Sequence, residues 1–188
     1  MMRKAPRRPI SQAAASTPPL DIDALDTTKR VIDFCVQNGL IDGVSTNIEG
    51  LIERDPNLEL VKVPLPDGVD AFIKETTPGK FQIGVNSKHS ATRQKFSMAH
   101  EYAHYRLHQG NLAALAEGER ILHRSDEWNI LEQQANSFAA EILMPEDHFR
   151  EEVRRTGGDV DELAKRFGVS TLALRYRAKN LGMRGHGV

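Results

Sequence analysis

The segment of the sequence with the clearest chemical potential is His100-Glu101-Tyr102-Ala103-His104, which has the pattern H-E-x-x-H. In a helix, four residues advance the chain by about 400° and roughly 6 Å, so both imidazoles lie on one face and can share a metal ion. The carboxylate of Glu101 is rotated by about 100° from His100, so it can reach a water on the metal rather than the metal itself. The pentapeptide alone also fits two helical histidines that only cap the helix or form hydrogen bonds.

A catalytic zinc site needs three protein ligands and an open position for water, so a third ligand must come from another element. The next predicted helix offers Glu132, which lies 28 residues after His104, and one turn later Asn136, an amide that could orient a ligand histidine. Glu141 is the alternative third ligand on the same helix. It lies nine residues after Glu132, or about 900° of rotation, so the two carboxylates point to opposite faces and only one can serve. We favour Glu132, because it begins the pattern E-x-x-A-N.

Two longer stretches that contain these residues resemble the ImmA/IrrE family of metallopeptidases. The first stretch is 93–104, RQKFSMAHEYAH, and the second is 132–145, EQQANSFAAEILMP. The similarity extends over about 60–183, and the order of the two motifs is more specific than either motif alone.

This resemblance implies an HExxH gluzincin-like core that holds a zinc ion through His100, His104 and Glu132, with Glu101 as the catalytic base. It also implies a helical C-terminal part. The expected substrate is a helix-turn-helix repressor, whose site-specific cleavage releases stress or mobile-element genes.

The expected mechanism also needs a group that stabilises the oxyanion. Zinc would lower the pKa of its water and polarise the scissile carbonyl, while Glu101 would take the water proton and pass it to the leaving amine. His123, His108 and Tyr105 are candidates for the oxyanion group, and each also fits a surface or packing role. An exposed strand could bind the substrate in extended form at the edge of a sheet.

The elements that must position these residues follow from the periodicity of the apolar positions. Helical spacing predicts helices near 27–39, 48–52, 90–108 and 125–143, a short helix at 112–117 and a helical pair over 159–183. Strand-like runs lie at 58–63, 69–73 and 81–85, with turn sequences at 64–68 and 77–80 between them. The expected fold class is therefore α+β, with a small, mostly antiparallel sheet, a helical zincin-like core and a C-terminal helix-turn-helix-like pair.

We divide the chain into three parts. Residues 1–20 form a disordered basic arm, because they are rich in Pro, Ala and Ser and carry four basic residues before the first acid, Asp21. Residues 21–145 form the metallopeptidase core, and residues 146–188 form a C-terminal helical segment.

The C-terminal segment leaves a second function open. Residues 161–174 are typical of a helix-turn-helix, and residues 163–188 contain six basic residues and no acidic one, which suits phosphate contacts. Packing against the core explains the same apolar pattern and is favoured. In addition, Arg177 stands where a recognition helix usually has an apolar residue. The alternative function is thus a DNA-binding or toxin-antitoxin-type regulator with a structural or vestigial zinc site. A structural site usually has a fourth ligand, so the open site favours catalysis.

Composition predicts an ordinary globular protein of the cytoplasm. The net charge is −1, with 27% charged and 39% apolar residues, and no apolar run reaches the roughly 18 residues that a membrane helix needs. Cys35 is the single cysteine, so an intrachain disulfide is excluded and a reducing compartment is expected. We expect Cys35 to be a small core residue. We expect the partner to be a protein substrate, and we expect no association with a membrane.

Overall fold

The computed structural model describes residues 25–112 and 126–183. The predicted arm, most of the predicted short helix at 112–117 and His123 lie outside these residues. The elements in chain order are α1 (Thr28–Gln37), β1 (Ile41–Asp42), β2 (Ser45–Thr46), α2 (Ile48–Glu53), β3 (Leu58–Val63), β4 (Ala71–Thr77), β5 (Lys80–Asn86), α3 (Ala91–Leu107), α4 (Asp126–Leu143), α5 (Glu146–Thr156), α6 (Val160–Phe167) and α7 (Thr171–Asn180). None of these helices is long and apolar enough to cross a membrane.

The strands form two small sheets. β1 and β2 pair antiparallel, and the second sheet has the order β3-β5-β4. β4 and β5 are antiparallel and joined by the predicted turn, in which Gly79 adopts a φ of 76° that favours glycine. β3 instead lies parallel to β5, with Leu58 opposite Phe81. The predicted α+β class with mostly antiparallel pairing is confirmed, and the parallel pair is an addition that the turn sequences did not indicate.

Helix α3 carries the H-E-x-x-H segment and is fixed at its start by a polar cap. The hydroxyl of Ser90 accepts a hydrogen bond from the backbone nitrogen of Arg93 at 3.4 Å, and the helix ends at Leu107, with His108 as its C-cap. α3 packs between the larger sheet and α4. Both helices contain fully buried alanines: Ala99 and Ala103 on α3, Ala135 and Ala139 on α4.

A buried ion pair holds α3 to the end of α2. The Arg106 Nη2 atom lies 2.7 Å from Asp55 Oδ2, and the two side chains are 6% and 0% exposed. Arg106 Nε also donates a hydrogen bond to the Tyr102 hydroxyl at 2.9 Å. Next to this network, the Tyr105 ring packs edge-on against Phe81 of β5, with ring centroids 5.2 Å apart. The position of α3 is therefore fixed from the core, on the side away from its histidines.

The C-terminal helices are joined to α3 and to the end of α4 through buried and partly buried polar contacts. Arg177 is 4% exposed and its Nε donates a hydrogen bond to the Met144 carbonyl at 3.0 Å. The Tyr176 and Ser137 hydroxyls lie 2.8 Å apart, and Lys95 of α3 donates a hydrogen bond to the Phe167 carbonyl at 2.9 Å. The packing role that we favoured for this pair is thus present. Burial lowers the pKa of Arg177, while nearby carboxylates, of which Glu141 is the first, oppose that shift.

The single cysteine is part of the core. Cys35 on α1 is fully buried, and burial raises the pKa of its thiol to about 12. A thiolate is the reactive form of cysteine, so this side chain is chemically inert and serves packing.

Candidate metal centre

Three side chains from α3 and α4 converge at one point. The Nε2 atoms of His100 and His104 lie 3.0 Å apart. Glu132 Oε2 lies 3.3 Å from His100 Nε2, and Glu132 Oε1 lies 3.1 Å from His104 Nε2. The ligand atoms of this group all lie within 4.8 Å of one another, so the group could hold a metal ion.

The donor set and its spacing fit zinc. A tetrahedral zinc ion with bonds of about 2.0–2.1 Å holds its ligand atoms roughly 3.3 Å apart, close to the three distances above. Asn136 Oδ1 lies 3.1 Å from His100 Nδ1, so it can accept the proton on Nδ1 and leave the Nε2 lone pair directed at the group. Lone pairs and a carboxylate that face one another repel unless a proton or a cation lies between them.

The electrostatics of the group follow from burial and from these contacts. Burial opposes the charge of His100, but its hydrogen bond with Glu132 and the nearby Glu101 carboxylate outweigh burial and raise its pKa. Burial lowers the pKa of His104, and His100 adds to this effect by repulsion. Burial also opposes ionisation of Glu132, but hydrogen bonds from both imidazoles hold its pKa well below the usual range. The carboxyl group of Glu132 thus favours its ionised form between the two imidazoles.

The group opens into a cleft of about 490 Å³. Glu101, half-buried, lines this cleft together with His100, Glu132, Asn136 and the segment 68–71. That segment leads directly into β4, whose outer edge is not paired with any other strand in the part of the chain that the structure describes. One wall of the cleft is thus the segment that leads into the unpaired edge of β4.

A second cavity of about 580 Å³ adjoins the cleft. The two share the wall residues Asp70, Phe96, Ser97 and Asn136. The far wall belongs to α7 and includes Leu172, which is 79% exposed. Helix α7 therefore belongs to the surroundings of the site, although the sequence contains no signal for this proximity.

The other predicted candidates lie elsewhere. Glu141 accepts a hydrogen bond from the Thr28 hydroxyl at 2.6 Å and lies 3.7 Å from Arg177, outside the metal-binding group. His108 and Tyr105 are both buried, and neither lines the cleft.

Sequence reasoning missed the partners of His108. Its Nδ1 lies 3.0 Å from His104 Nδ1, and its Nε2 lies 3.0 Å from Gln134 Oε1. The spacing of four residues from His104 was a usable signal that the two imidazoles share a helix face. No comparable signal exists for Gln134, because its position depends on how α4 is rotated against α3.

Fold and site together define an α+β protein in which an H-E-x-x-H helix and a following helix assemble a metal-binding group. The Peptidase_M78 family, described as the IrrE N-terminal-like domain, matches residues 55–179. The chain belongs to this family, and the resemblance drawn from the two motifs is confirmed. Membership in this family supports peptidase as the general class of activity.

A solved structure of a Mycobacterium tuberculosis transcriptional regulator has a similar fold, with a TM-score of 0.61 and 19% sequence identity. The similarity covers 81% of this chain and 46% of that chain, so this chain spans about half the length of that protein. At this identity the likeness shows the fold alone. No curated protein sequence matches the chain.

Proposed function

We propose that this protein is a zinc-dependent endopeptidase. The observation that carries the proposal is the convergence of His100, His104 and Glu132 beside Glu101 in an open cleft. When bound, zinc supplies an electrophile that polarises the scissile carbonyl and lowers the pKa of the attacking water. The described residues offer three ligands at this point rather than four, which is typical of catalytic rather than structural zinc sites.

In this proposal the side chains have separate roles. His100, His104 and Glu132 hold the ion, and Asn136 keeps the His100 Nε2 atom unprotonated by accepting from Nδ1. Glu101 accepts a proton from the attacking water and passes it to the leaving amine.

The free edge of β4 is the proposed binding site for the peptide. An extended chain can add to an unpaired strand through backbone hydrogen bonds, and this edge begins where the cleft wall 68–71 ends. The adjoining cavity against α7 then lies along the path of the same peptide and could accept a side chain next to the scissile bond.

The proposed substrate is a helix-turn-helix transcriptional repressor, whose cleavage triggers a stress or mobile-element response. The resemblance to the ImmA/IrrE family supports this choice. The similar fold of a protein named as a transcriptional regulator is compatible with a role in transcription. We also propose that the chain consists of a metallopeptidase core over residues 21–145 and a C-terminal helical segment over residues 146–188.

The experiment is co-expression with the product of a neighbouring gene, tested as a helix-turn-helix repressor substrate, followed by detection of its fragments. Glu101→Gln keeps the size of the side chain but removes the base, so cleavage should fall on the order of 10²–10⁴-fold. Zinc content and repressor binding should persist in this variant.

The matched control is Glu151→Gln, the same change at an exposed position of α5, which should cleave like the wild type. Cleavage or derepression by Glu101→Gln at the wild-type level would show that peptidase chemistry is not how the protein acts.

A DNA-binding regulator is the second candidate, because Arg175 and Lys179 are exposed on α7, the second helix of the helix-turn-helix-like pair. Arg177 is buried and is not available to phosphates. A protein that binds DNA through α7 should show a salt-sensitive affinity that Arg175→Glu with Lys179→Glu abolishes. We expect no such affinity in the wild type, and finding it would favour the regulator.

A further inference from the structure

A chain of three side chains connects the candidate metal centre to the protein surface. It runs from His104 Nδ1 to His108 Nδ1 over 3.0 Å, and from His108 Nε2 to Gln134 Oε1 over 3.0 Å. Both histidines are 4% exposed, whereas Gln134 is exposed on α4. A surface amide is thus linked to a buried ligand atom through one imidazole.

Each neutral imidazole in this chain has one N–H donor and one acceptor nitrogen. If Gln134 accepts from His108 Nε2–H, then His108 Nδ1 must accept from His104 Nδ1–H, and the His104 Nε2 lone pair faces His100 and Glu132. If position 134 donates instead, every proton in the chain moves to the other nitrogen. The proton on His104 then occupies Nε2, where it blocks a metal ion.

We propose that Gln134 is a positioning residue: by accepting a hydrogen bond from His108 Nε2–H, it supports, through His108, the orientation of His104 in which Nε2 binds zinc. This inference rests on the proposed zinc site. It gives the two ligand histidines matching supports from α4: Asn136 orients His100 directly, and Gln134 orients His104 through one intervening imidazole. Partners of this kind fix the ring and the tautomer of a metal-binding histidine.

The exposure of Gln134 allows a test that leaves the core intact. A carboxylate at this position can only accept a hydrogen bond, and an ammonium can only donate one. Gln134→Glu should therefore keep the favourable direction of the chain, and Gln134→Lys should reverse it. Gln133 is also exposed and adjacent in sequence, so Gln133→Glu and Gln133→Lys add the same charges without touching His108.

The first measurement is the zinc affinity of the full-length variants, in competition with a chromophoric chelator. Gln134→Lys should bind zinc on the order of 10–100-fold more weakly than Gln133→Lys. Gln134→Glu should bind at least as tightly as Gln133→Glu. Thermal unfolding of the metal-free variants checks that all four are folded.

The second measurement is the ¹⁵N NMR signature of His108 in the zinc-loaded wild type. Because zinc would occupy His104 Nε2, the His104 proton lies on Nδ1, and the His108 proton should lie on Nε2, where Gln134 accepts it. Equal zinc affinities for Gln134→Lys and Gln133→Lys, or a His108 proton on Nδ1 in the zinc-loaded wild type, would overturn this inference alone. A wild type that binds no zinc would overturn the proposed zinc peptidase, and this inference with it.

Discussion

Helix α3 takes part in two polar networks that differ in how their charges are balanced. On its core side, Arg106 and Asp55 form a buried ion pair in which a cation and an anion neutralise each other. On its cleft side, His100, His104 and Glu132 bring two imidazoles and a carboxylate together. The first network is complete within the protein chain, whereas the second has an excess of lone pairs and negative charge.

Within one helix, the core-side network thus serves stability and the cleft-side group serves chemistry. A buried pair that is satisfied internally contributes to the native state whether or not a ligand is present. A group of converging acceptors is completed by a cation. The favourable free energy of that interaction is therefore gained only when the ion binds. The core-side network should therefore matter for folding, and the cleft-side group should matter for metal binding and catalysis.

The largest effect is expected at the cleft. Glu132→Ala should lose most of the bound zinc and repressor cleavage should fall to background, because two imidazoles alone hold zinc weakly. Unfolding of the metal-free protein should change little. Zinc content is measured by mass spectrometry, with Glu141→Ala as the control, since Glu141 contacts Thr28 and Arg177 instead. Loss of zinc from the control but not from Glu132→Ala would reverse the assignment of the third ligand.

A stability effect without a binding effect is expected on the core side. Asp55→Ala leaves a buried guanidinium without its partner, which typically lowers the free energy of unfolding by about 3–5 kcal/mol. The control is Asp33→Ala, which removes a surface pair with Lys29 and should cost about 0.5 kcal/mol or less. Urea unfolding of metal-free protein measures both. A change in zinc affinity of the folded Asp55 variant would show that the two networks are coupled.

The smallest effect is expected at α7. Tyr176→Phe removes the hydrogen bond with Ser137 but keeps the ring that lines the adjoining cavity. The free energy of unfolding should fall by about 1 kcal/mol, the usual net value of one hydrogen bond. Zinc affinity and cleavage rate should remain at wild-type levels, measured by chelator competition and fragment formation. A large loss of cleavage would mean that the hydroxyl itself contacts the substrate.

Local periodicity was sufficient to predict the parts of the site that lie on helices. Because a helix repeats every 3.6 residues, the spacing of His100 and His104 already places both imidazoles on one face. On the next helix, periodicity places Glu132 and Asn136 one turn apart, but the choice of Glu132 over Glu141 came from the E-x-x-A-N pattern and the family resemblance. The structure brings all four side chains together. Their roles in binding zinc stay predictions.

Features that join distant segments could not be read from the sequence. The parallel pairing of β3 with β5 connects strands that are not consecutive, and nothing in either strand specifies its partner. The contacts of Gln134 and of Tyr176 depend on the rotation of one helix against another. The basic arm over 1–20, the cytoplasmic location and the repressor substrate stay predictions.

The contacts of Lys95 have a consequence for how the protein is made on the ribosome. Its ammonium group donates to the Ser45 hydroxyl and to the Phe167 carbonyl, each at 2.9 Å, from partners 50 and 72 residues away in the chain. Burial lowers the pKa of Lys95, so its charge is costly without these acceptors. Next to it, Gly168 adopts a φ of 63°, and a side chain there would meet Lys95 Nζ at 3.3 Å. Until Phe167 has been synthesised, the half-buried ammonium group of Lys95 lacks one of its two acceptors. We therefore expect the helix that carries the H-E-x-x-H segment to reach its final stability only after the first helix of the C-terminal pair has formed.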